Sequence, residues 1–215
     1  MKAAVGHLHV ITDTTIQTRF DHLALAELAI AGGADTVQFR DKTLSTRQTV
    51  SVALGVASRG RRADVAVIVN DRADVSMAAA ADGVHLGQHD LPVVAARQLL
   101  GPGKLIGASA GTPDEAKQAE DHGADYIGFG HIYATTSKDK PDAPQGLEVL
   151  HRVCTALSTP VIAIGGINAS NLLPILQTGA WGIAVIGAVC AAPDPRTAAA
   201  ELHAVIVRHL SGAGQ

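Results

Sequence analysis

Short apolar runs alternate along the chain with alanine-rich or amphipathic stretches. Eight runs of five to seven residues are rich in Val, Ile, Leu and Gly, as expected of strands buried on both faces of a parallel sheet. They are HLHVITD (7–13), TVQFR (36–40), AVIVND (66–71), GVHLGQ (83–88), LIGAS (105–109), YIGFG (126–130), VIAIGG (161–166) and GIAVIG (182–187). A segment of helical composition follows each run. The pattern therefore predicts an α/β protein built as a single (β/α)8 TIM barrel.

The helix ends support this repeat. The predicted helices cover 22–31, 46–58, 72–81, 92–100, 112–122, 147–157, 169–178 and 195–210. Four of them end in the related segments AGGAD, AAAADG, DHGAD and QTGAWG, and the glycine in each predicts a left-handed turn. No linker divides the chain, so we expect one barrel domain over 1–210 and a frayed tail over 211–215. The connection 131–146 is unusually long, which favours a functional loop or a mobile lid.

Composition narrows the class of protein. A chain of 215 residues fits one barrel, and 47% hydrophobic residues with only 3% aromatic residues predict an aliphatic core. The formal net charge of −3 argues against a nucleic-acid partner. Two cysteines, Cys154 and Cys190, and the lack of an export signal predict a reduced, cytoplasmic setting. No apolar run approaches the roughly 20 residues of a membrane span. A homodimer is the common default for such a barrel.

Acidic residues follow two neighbouring predicted strands. Asp71 ends the third strand, and Asp90 lies just past the fourth. In a barrel the carboxyl ends of the strands meet at one mouth, so both carboxylates are expected side by side there. Oxygen ligands of this kind suit Mg²⁺, which usually completes its shell with water or substrate phosphate. The alternative is that one or both cap the following helices, Asp90 in particular.

Cationic residues stand at the end of the second strand. Gln38, Arg40 and Lys42 alternate in QFRDK, so their side chains share one face of an extended segment. Arginine and lysine both bind phosphate oxygens, and Lys138 in the long loop is a third candidate. We expect Arg47 and Arg97 to be solvated surface charges.

Glycines end the seventh and eighth strands, at Gly165–Gly166 and at Ile186–Gly187. Loops at this position often bind phosphate through backbone N–H groups. The hydroxyls of Thr135, Thr136 and Ser137 add neutral donors. One mouth would thus hold a metal-bound diphosphate and a monophosphate, which indicates an enzyme that joins two phosphorylated small molecules with loss of diphosphate.

The segments QFRDK, VNDRADV, ADGVHLGQHD, IGAS, ADYIGFG, TTSK and AIGGI occur in order along nearly the whole chain. With them the sequence resembles the thiamine phosphate synthase family. The resemblance implies that a pyrimidine methyl diphosphate contacts Gln38, Phe39, Arg40, Asp41, Lys42, Asn70, Ser109 and Lys138, and that Asp71 and Asp90 bind Mg²⁺. It places a thiazole phosphate against Thr135, Thr136, Ser137, Gly166, Ile186 and Gly187. It further implies that diphosphate departs first, its charge stabilised by the metal and by Arg40, Lys42 and Lys138.

Three positions depart from the synthase pattern. His131 stands where the synthases usually have proline, Gly111 where histidine is common, and Gly187 where serine is frequent. A histidine at 131 resembles the related thiazole tautomerase, in which it moves a proton on the thiazole. A third interpretation is a regulatory barrel that binds a thiazole phosphate without catalysis. We expect His85 to be structural, and the following to be surface residues: His7, His22, His122, His151, His203 and His209.

Overall fold

A computed structural model of the chain describes residues 4–135 and 143–212. Eight parallel strands form a closed barrel in sequence order, which confirms the predicted fold. The strands are β1 (Leu8–Thr12), β2 (Thr36–Phe39), β3 (Ala66–Asn70), β4 (Gly83–Leu86), β5 (Leu105–Ala110), β6 (Tyr126–Gly130), β7 (Val161–Ile164) and β8 (Gly182–Val185). The helices are α1 (His22–Ala31), α2 (Thr46–Ala63), α3 (Ala73–Ala78), α4 (Val93–Leu100), α5 (Pro113–Asp121), α6 (Gly146–Ala156), α7 (Leu172–Leu176), α8 (Gly187–Cys190) and α9 (Pro195–Gly212).

Helix lengths differ from the sequence expectation at several places. Helix α2 continues to Ala63, whereas α3 and α7 are shorter than predicted. The four-residue helix α8 was not predicted. Helix α9 extends to Gly212, into the segment expected to fray, and residues 213–215 lie outside the described part. None of the helices within the described ranges has both the length and the apolar character that a membrane span requires.

Two apolar layers surround the strands. Residues that point outward from the strands, such as Val10, Val37 and Phe129, pack against the helices in one large cluster. The inward layer is smaller and contains Ile11, Tyr126, Ile162, Ala184 and Ile186. The aliphatic core expected from the low aromatic content is therefore present. These inward side chains leave a cavity at the carboxyl end of the barrel.

Aspartates tie strands together at the opposite, amino-terminal face. The Oδ2 atoms of Asp35, Asp82 and Asp125 accept backbone N–H bonds from Leu8, Val67 and Ile106, at 2.9, 2.8 and 2.7 Å. These residues are the aspartates of the AGGAD, AAAADG and DHGAD repeats. In the fourth repeat Trp181 takes this position, and its indole stacks on the His7 ring with centroids 4.6 Å apart.

Arg97 belongs to this face and was wrongly expected to be a solvated charge. Its guanidinium donates to Asp125 Oδ2 at 2.6 Å and to the Lys104 carbonyl at 2.6 Å. The reason is its place in the last turn of α4, which brings it over the turns that enter β5 and β6. Arg47 is exposed, as expected.

The left-handed turns follow the repeats with one exception. Gly33, Gly123 and Gly179 have φ angles of +93°, +83° and +93°. In AAAADG, however, the left-handed residue is Ala80, with φ +49°, so the predicted glycine turn is wrong there. Gly83 instead belongs to β4, where a Cβ would lie 2.1 Å from the Leu105 carbonyl oxygen. Close strand packing, and not the turn, accounts for that glycine.

This exception predicts a stabilising substitution. A left-handed conformation costs a residue with a Cβ about 1–2 kcal/mol, which exceeds the extra chain entropy that glycine loses on folding. We expect Ala80→Gly to raise the free energy of unfolding by about 0.5–1 kcal/mol, measured by urea denaturation. Ala78→Gly, in the right-handed last turn of α3, is the matched control and should lower it by about 0.5–1 kcal/mol. Destabilisation by both variants would contradict this account.

Candidate active site

A cavity of about 160 Å³ opens at the carboxyl ends of the strands. Its wall comes from β4 to β8 together with the inward residues of β1 and β2. The predicted site residues that line it are Gln38, Ser109, His131, Thr135, Gly166, Ile186 and Gly187. The predicted charged residues that the structure describes do not line this cavity and lie instead at or just past the ends of β2, β3 and β4; they are Arg40, Asp41, Lys42, Asp71 and Asp90. The mouth therefore has a neutral cavity on one side and a charged rim on the other.

A polar network occupies the inner part of the cavity. His85 Nε2 lies 2.9 Å from Ser109 Oγ, and His85 Nδ1 lies 3.1 Å from the Tyr126 hydroxyl. Gln38 also bonds to Tyr126, whose pKa is raised by burial, so the phenol stays protonated and can donate. His85 was expected to be only structural; its side chain in fact lines the cavity and contacts a predicted substrate residue.

Glycines in the strands make room for these rings. A Cβ at Gly107 would lie 2.1 Å from Tyr126 Cζ and 2.5 Å from His85 Nδ1. A Cβ at Gly128 would lie 2.9 Å from His85 Cε1. The glycines of IGAS and YIGFG therefore leave the space inside the barrel that the His85 and Tyr126 rings occupy.

The two predicted metal ligands are neighbours, as expected. Burial and then the Asp71 carboxylate, which shares a hydrogen bond with Asp90, raise the pKa of Asp90. Lys42 forms an ion pair with Asp71 Oδ2. Asp71 has a left-handed backbone, with φ +64°, and its N–H donates to the His85 carbonyl at 2.7 Å. Asn70, the last residue of β3, is half-buried beside it. Unfavourable backbone geometry of this kind is concentrated at functional sites.

Helix capping does not explain Asp90. Helix α4 has Pro92 at its N-cap and no side-chain cap bond. Asp90 Oδ2 instead accepts the Gly87 N–H at 2.7 Å, within the loop that follows β4. The carboxylate thus stays at the mouth.

Arg40 lies at the same rim and pairs with Asp13, the residue that follows β1. The Arg40 side chain is 15% exposed and that of Asp13 only 2%. Asp13 ends the first apolar run, HLHVITD, but no motif in the sequence assigns it a role.

Two residues of QFRDK face away from the mouth. Phe39 packs in the outer core, edge-on to the His22 ring at 4.8 Å. Asp41 Oδ2 lies 2.9 Å from His22 Nε2, and its Oδ1 accepts the Thr43 and Leu44 N–H groups at 2.7 Å. The expectation that His22 is a surface residue is wrong, since it is 4% exposed. Its first-turn position turns it toward β1 and β2, where Thr12 Oγ1 lies 2.9 Å from Nδ1.

The ends of β7 and β8 form the neutral part of the mouth. Gly165 and Gly166 have φ angles of +103° and +68°. A Cβ at Gly165 would lie 2.3 Å from His131 Cβ, and one at Gly166 would lie 2.4 Å from the Ala134 carbonyl oxygen. Gly187 opens α8, and barrels frequently bind phosphate between these two loops and such a short helix.

Arg19, in the β1–α1 connection, fixes the far end of α8. It donates to the carbonyls of Ala191, Ala192 and Pro193 at 3.2, 2.6 and 3.0 Å. The connection that begins at Asp13 therefore contacts both the β2 side and the β8 side of the mouth.

His131 is 7% exposed and lines the cavity next to Gly165. Thr136, Ser137 and Lys138 lie outside the described residues. Gly111 also lines the cavity, and its N–H donates to Glu115 Oε2 at 2.6 Å.

Comparisons with known proteins identify the relatives of this chain. The family profile described as thiamine monophosphate synthase matches residues 8–189. The chain is 49% identical to the thiamine-phosphate synthase of Chloroflexus aurantiacus over 93% of this chain and 92% of that protein. It is 48% identical to the thiamine-phosphate synthase of Chlorobium luteolum over 96% of each chain.

Solved structures show the same architecture. A thiamine phosphate pyrophosphorylase from Pyrococcus furiosus superposes with a TM-score of 0.88 at 38% identity, over 95% of this chain and 96% of that one. A 3-hexulose-6-phosphate synthase superposes with a TM-score of 0.68 at 20% identity, over 93% of this chain and 99% of that one, which shows the fold alone.

The fold and the mouth define a (β/α)8 barrel with a charged rim beside a neutral cavity. The match over most of its length then gives a more specific result. The chain belongs to the thiamine monophosphate synthase family.

The buried Asp41 predicts a pH-dependent contribution to stability. Burial alone would raise its pKa, but the bonds from His22, Leu44 and Thr43 outweigh burial and lower the pKa to about 2. A lowered pKa in the folded state stabilises the fold above the unfolded-state pKa of about 4, and this contribution is lost as the pH falls toward 2. We expect Asp41→Asn to cost about 2 kcal/mol at pH 7 and progressively less below pH 4, measured by urea unfolding.

Asp114, an exposed carboxylate in the first turn of α5, provides the control. Its Asn variant should stay within about 0.5 kcal/mol of the parent at each pH. A cost of Asp41→Asn that does not change with pH would contradict the prediction.

Proposed function

We propose that this protein is a thiamine-phosphate synthase, a transferase. It would join 4-amino-2-methyl-5-(diphosphooxymethyl)pyrimidine to a thiazole phosphate, or to its carboxylate, giving thiamine phosphate and diphosphate. The observation that carries the proposal is the contact between Asp71 and Asp90 at a rim that also holds Lys42 and Arg40. The names of the relatives support the same activity.

The donor set fits Mg²⁺. Two carboxylates in contact raise each other's energy when both are ionised, and a divalent cation between them removes that repulsion. Among the described residues no group of three or more His, Cys, Asp or Glu side chains could hold a metal, so substrate oxygens or water would complete the shell. When bound, the ion would neutralise charge that develops on the diphosphate.

Side chains of the chain itself would prepare the bond cleavage. Arg40 and Lys42 would donate to the diphosphate oxygens and stabilise the leaving group as the bond between the methylene carbon and oxygen breaks. Gln38 and Ser109, held by Tyr126 and His85, would orient the pyrimidine in the cavity. Asn70 and Lys138 would also contact the pyrimidine diphosphate, as the family resemblance implies.

The thiazole phosphate would occupy the β6–β8 side of the mouth. Gly166, Ile186 and Gly187 would present backbone N–H groups, and Thr135 a hydroxyl, as would Thr136 and Ser137. The thiazole nitrogen would then attack the methylene carbon and form the new carbon–nitrogen bond, with water excluded by the apolar wall of Ile162, Ile164 and Ala184.

A coupled assay tests this function. Purified protein with both substrates and Mg²⁺ should yield thiamine phosphate, and omission of the metal should abolish the yield. Asp71→Asn and Asp90→Asn should each lower kcat/KM by about 10²-fold, because each removes a negative ligand without changing side-chain size. Asp74→Asn is the matched control, since Asp74 is an exposed carboxylate on α3 that pairs with Arg72.

Absence of turnover by folded protein with authentic substrates would refute the synthase assignment. Calorimetry would then test whether the protein is a regulatory barrel that binds a thiazole phosphate without catalysis. Binding of a thiazole phosphate without Mg²⁺-dependent binding of diphosphate would favour a regulatory barrel.

His131 supports thiazole tautomerisation as a second candidate function. It lines the cavity next to Gly165, on the side proposed for the thiazole. A histidine there can accept a proton from one ring atom and return it to another near neutral pH.

His131→Gln tests this candidate. If His131 moves the proton, the variant should aromatise the thiazole carboxylate phosphate at least about 10²-fold more slowly, while synthase turnover with the aromatic thiazole changes little. The measurement is thiazole absorbance against time. His151→Gln, an exposed histidine on α6, is the control. An unchanged rate in His131→Gln would exclude the role.

A further inference from the structure

We propose that Asp13 is a positioning residue, which holds the guanidinium of Arg40 in the orientation that binds the diphosphate. The inference rests on the proposed function, because it assumes that the rim at β2 receives a diphosphate. It concerns a residue that neither the charge pattern nor the resemblance assigns to the site.

Both carboxylate oxygens of Asp13 have partners. Oδ2 pairs with an Arg40 terminal nitrogen. Oδ1 accepts the Thr15 backbone N–H at 2.8 Å and the Thr15 hydroxyl at 2.6 Å. With 2% of its side chain exposed, Asp13 is fixed in one orientation by three donors. A carboxylate held in this way can in turn fix a long, flexible side chain.

Arg40 keeps donors available for a ligand. A guanidinium carries five N–H groups in a rigid plane, so one bond to Asp13 sets the direction of the others. Arg40 Nε is buried and has no hydrogen-bond partner within residues 4–135 and 143–212, so the exposed part of the side chain lies elsewhere on the group. The side chain is 15% exposed, at the rim that also holds Lys42. The pair therefore presents an oriented cation at the mouth.

Coulomb repulsion alone predicts that loss of the Asp13 charge strengthens diphosphate binding. A carboxylate next to an anion site repels the anion, so its neutralisation should tighten binding if charge alone matters. The positioning role predicts weaker binding when Asp13 loses its charge, since Arg40 then has other rotamers and loses its alignment. The direction of the effect thus separates the two explanations.

Asp125 provides a matched control at the other end of the barrel. It also pairs with an arginine, Arg97, and also accepts a backbone N–H, that of Ile106 at 2.7 Å. Loss of its charge should destabilise the fold in a similar way without affecting the mouth.

The experiment compares the full-length parent with Asp13→Asn and Asp125→Asn. Steady-state kinetics give kcat and KM for the pyrimidine diphosphate, calorimetry gives the affinity for inorganic diphosphate with Mg²⁺, and thermal unfolding gives Tm. We expect Asp13→Asn to raise KM and weaken diphosphate binding by about tenfold to a hundredfold. Asp125→Asn should lower Tm and leave KM and diphosphate affinity unchanged. If Asp13→Asn does not fold, Thr15→Val, which removes one bond to Oδ1, should raise KM by a few fold.

A double-mutant cycle tests whether Asp13 acts through Arg40. Arg40→Ala and the double variant Arg40→Ala/Asp13→Asn should have the same diphosphate affinity, since there is no guanidinium left to position. Additive losses, unchanged binding in Asp13→Asn, or tighter binding would each overturn the inference. If the parent binds diphosphate but makes no thiamine phosphate, the proposed function fails while the binding comparison still decides the role of Asp13. A parent that does not bind diphosphate overturns both.

Discussion

Parallel pairing of β1 with β8 closes the sheet, and the arrangement of the mouth follows from it. Leu8, His9 and Val10 pair with Ile183, Ala184 and Val185. In an open sheet the ends of β2 and β8 would lie far apart. Closure places the end of β1 between them, so the cationic segment after β2 and the glycine-bearing end of β8 lie on either side of one strand.

The charged rim is locally unfavourable, and this is informative about its use. Asp71 adopts a left-handed backbone and its carboxylate contacts that of Asp90. Neither feature helps the protein to fold. Both are tolerated because the surrounding strands are rigid and Lys42 offsets part of the repulsion. Natural sequences depart from local conformational and electrostatic preferences mainly at functional sites, where ligand binding offsets the loss of stability.

The sequence predicted the strands well because eight apolar runs with recurring helix ends admit few other folds. The adjacency of Asp71 and Asp90 followed from strand order alone. The alternation argument selected Gln38, Arg40 and Lys42, whereas the resemblance also included Phe39 and Asp41, whose side chains face the helices.

Other features had no signal in the sequence. Apolar residues occur at both odd and even positions of the strands, so nothing in VHLG or YIGFG showed that His85 and Tyr126 point inward. His22 was expected at the surface, and tertiary contacts with Asp41, Thr12 and Phe39 bury it. Helix α8 is too short for a periodic pattern to reveal it.

The connection between β1 and α1 contacts both sides of the mouth. At its start Asp13 forms an ion pair with Arg40, and further along Arg19 donates hydrogen bonds to the three carbonyls that follow α8. One short segment thus links the β2 side and the β8 side of the barrel mouth. We expect an insertion within this segment to disturb both the Asp13–Arg40 pair and the position of α8, even if every side chain that touches a substrate were kept.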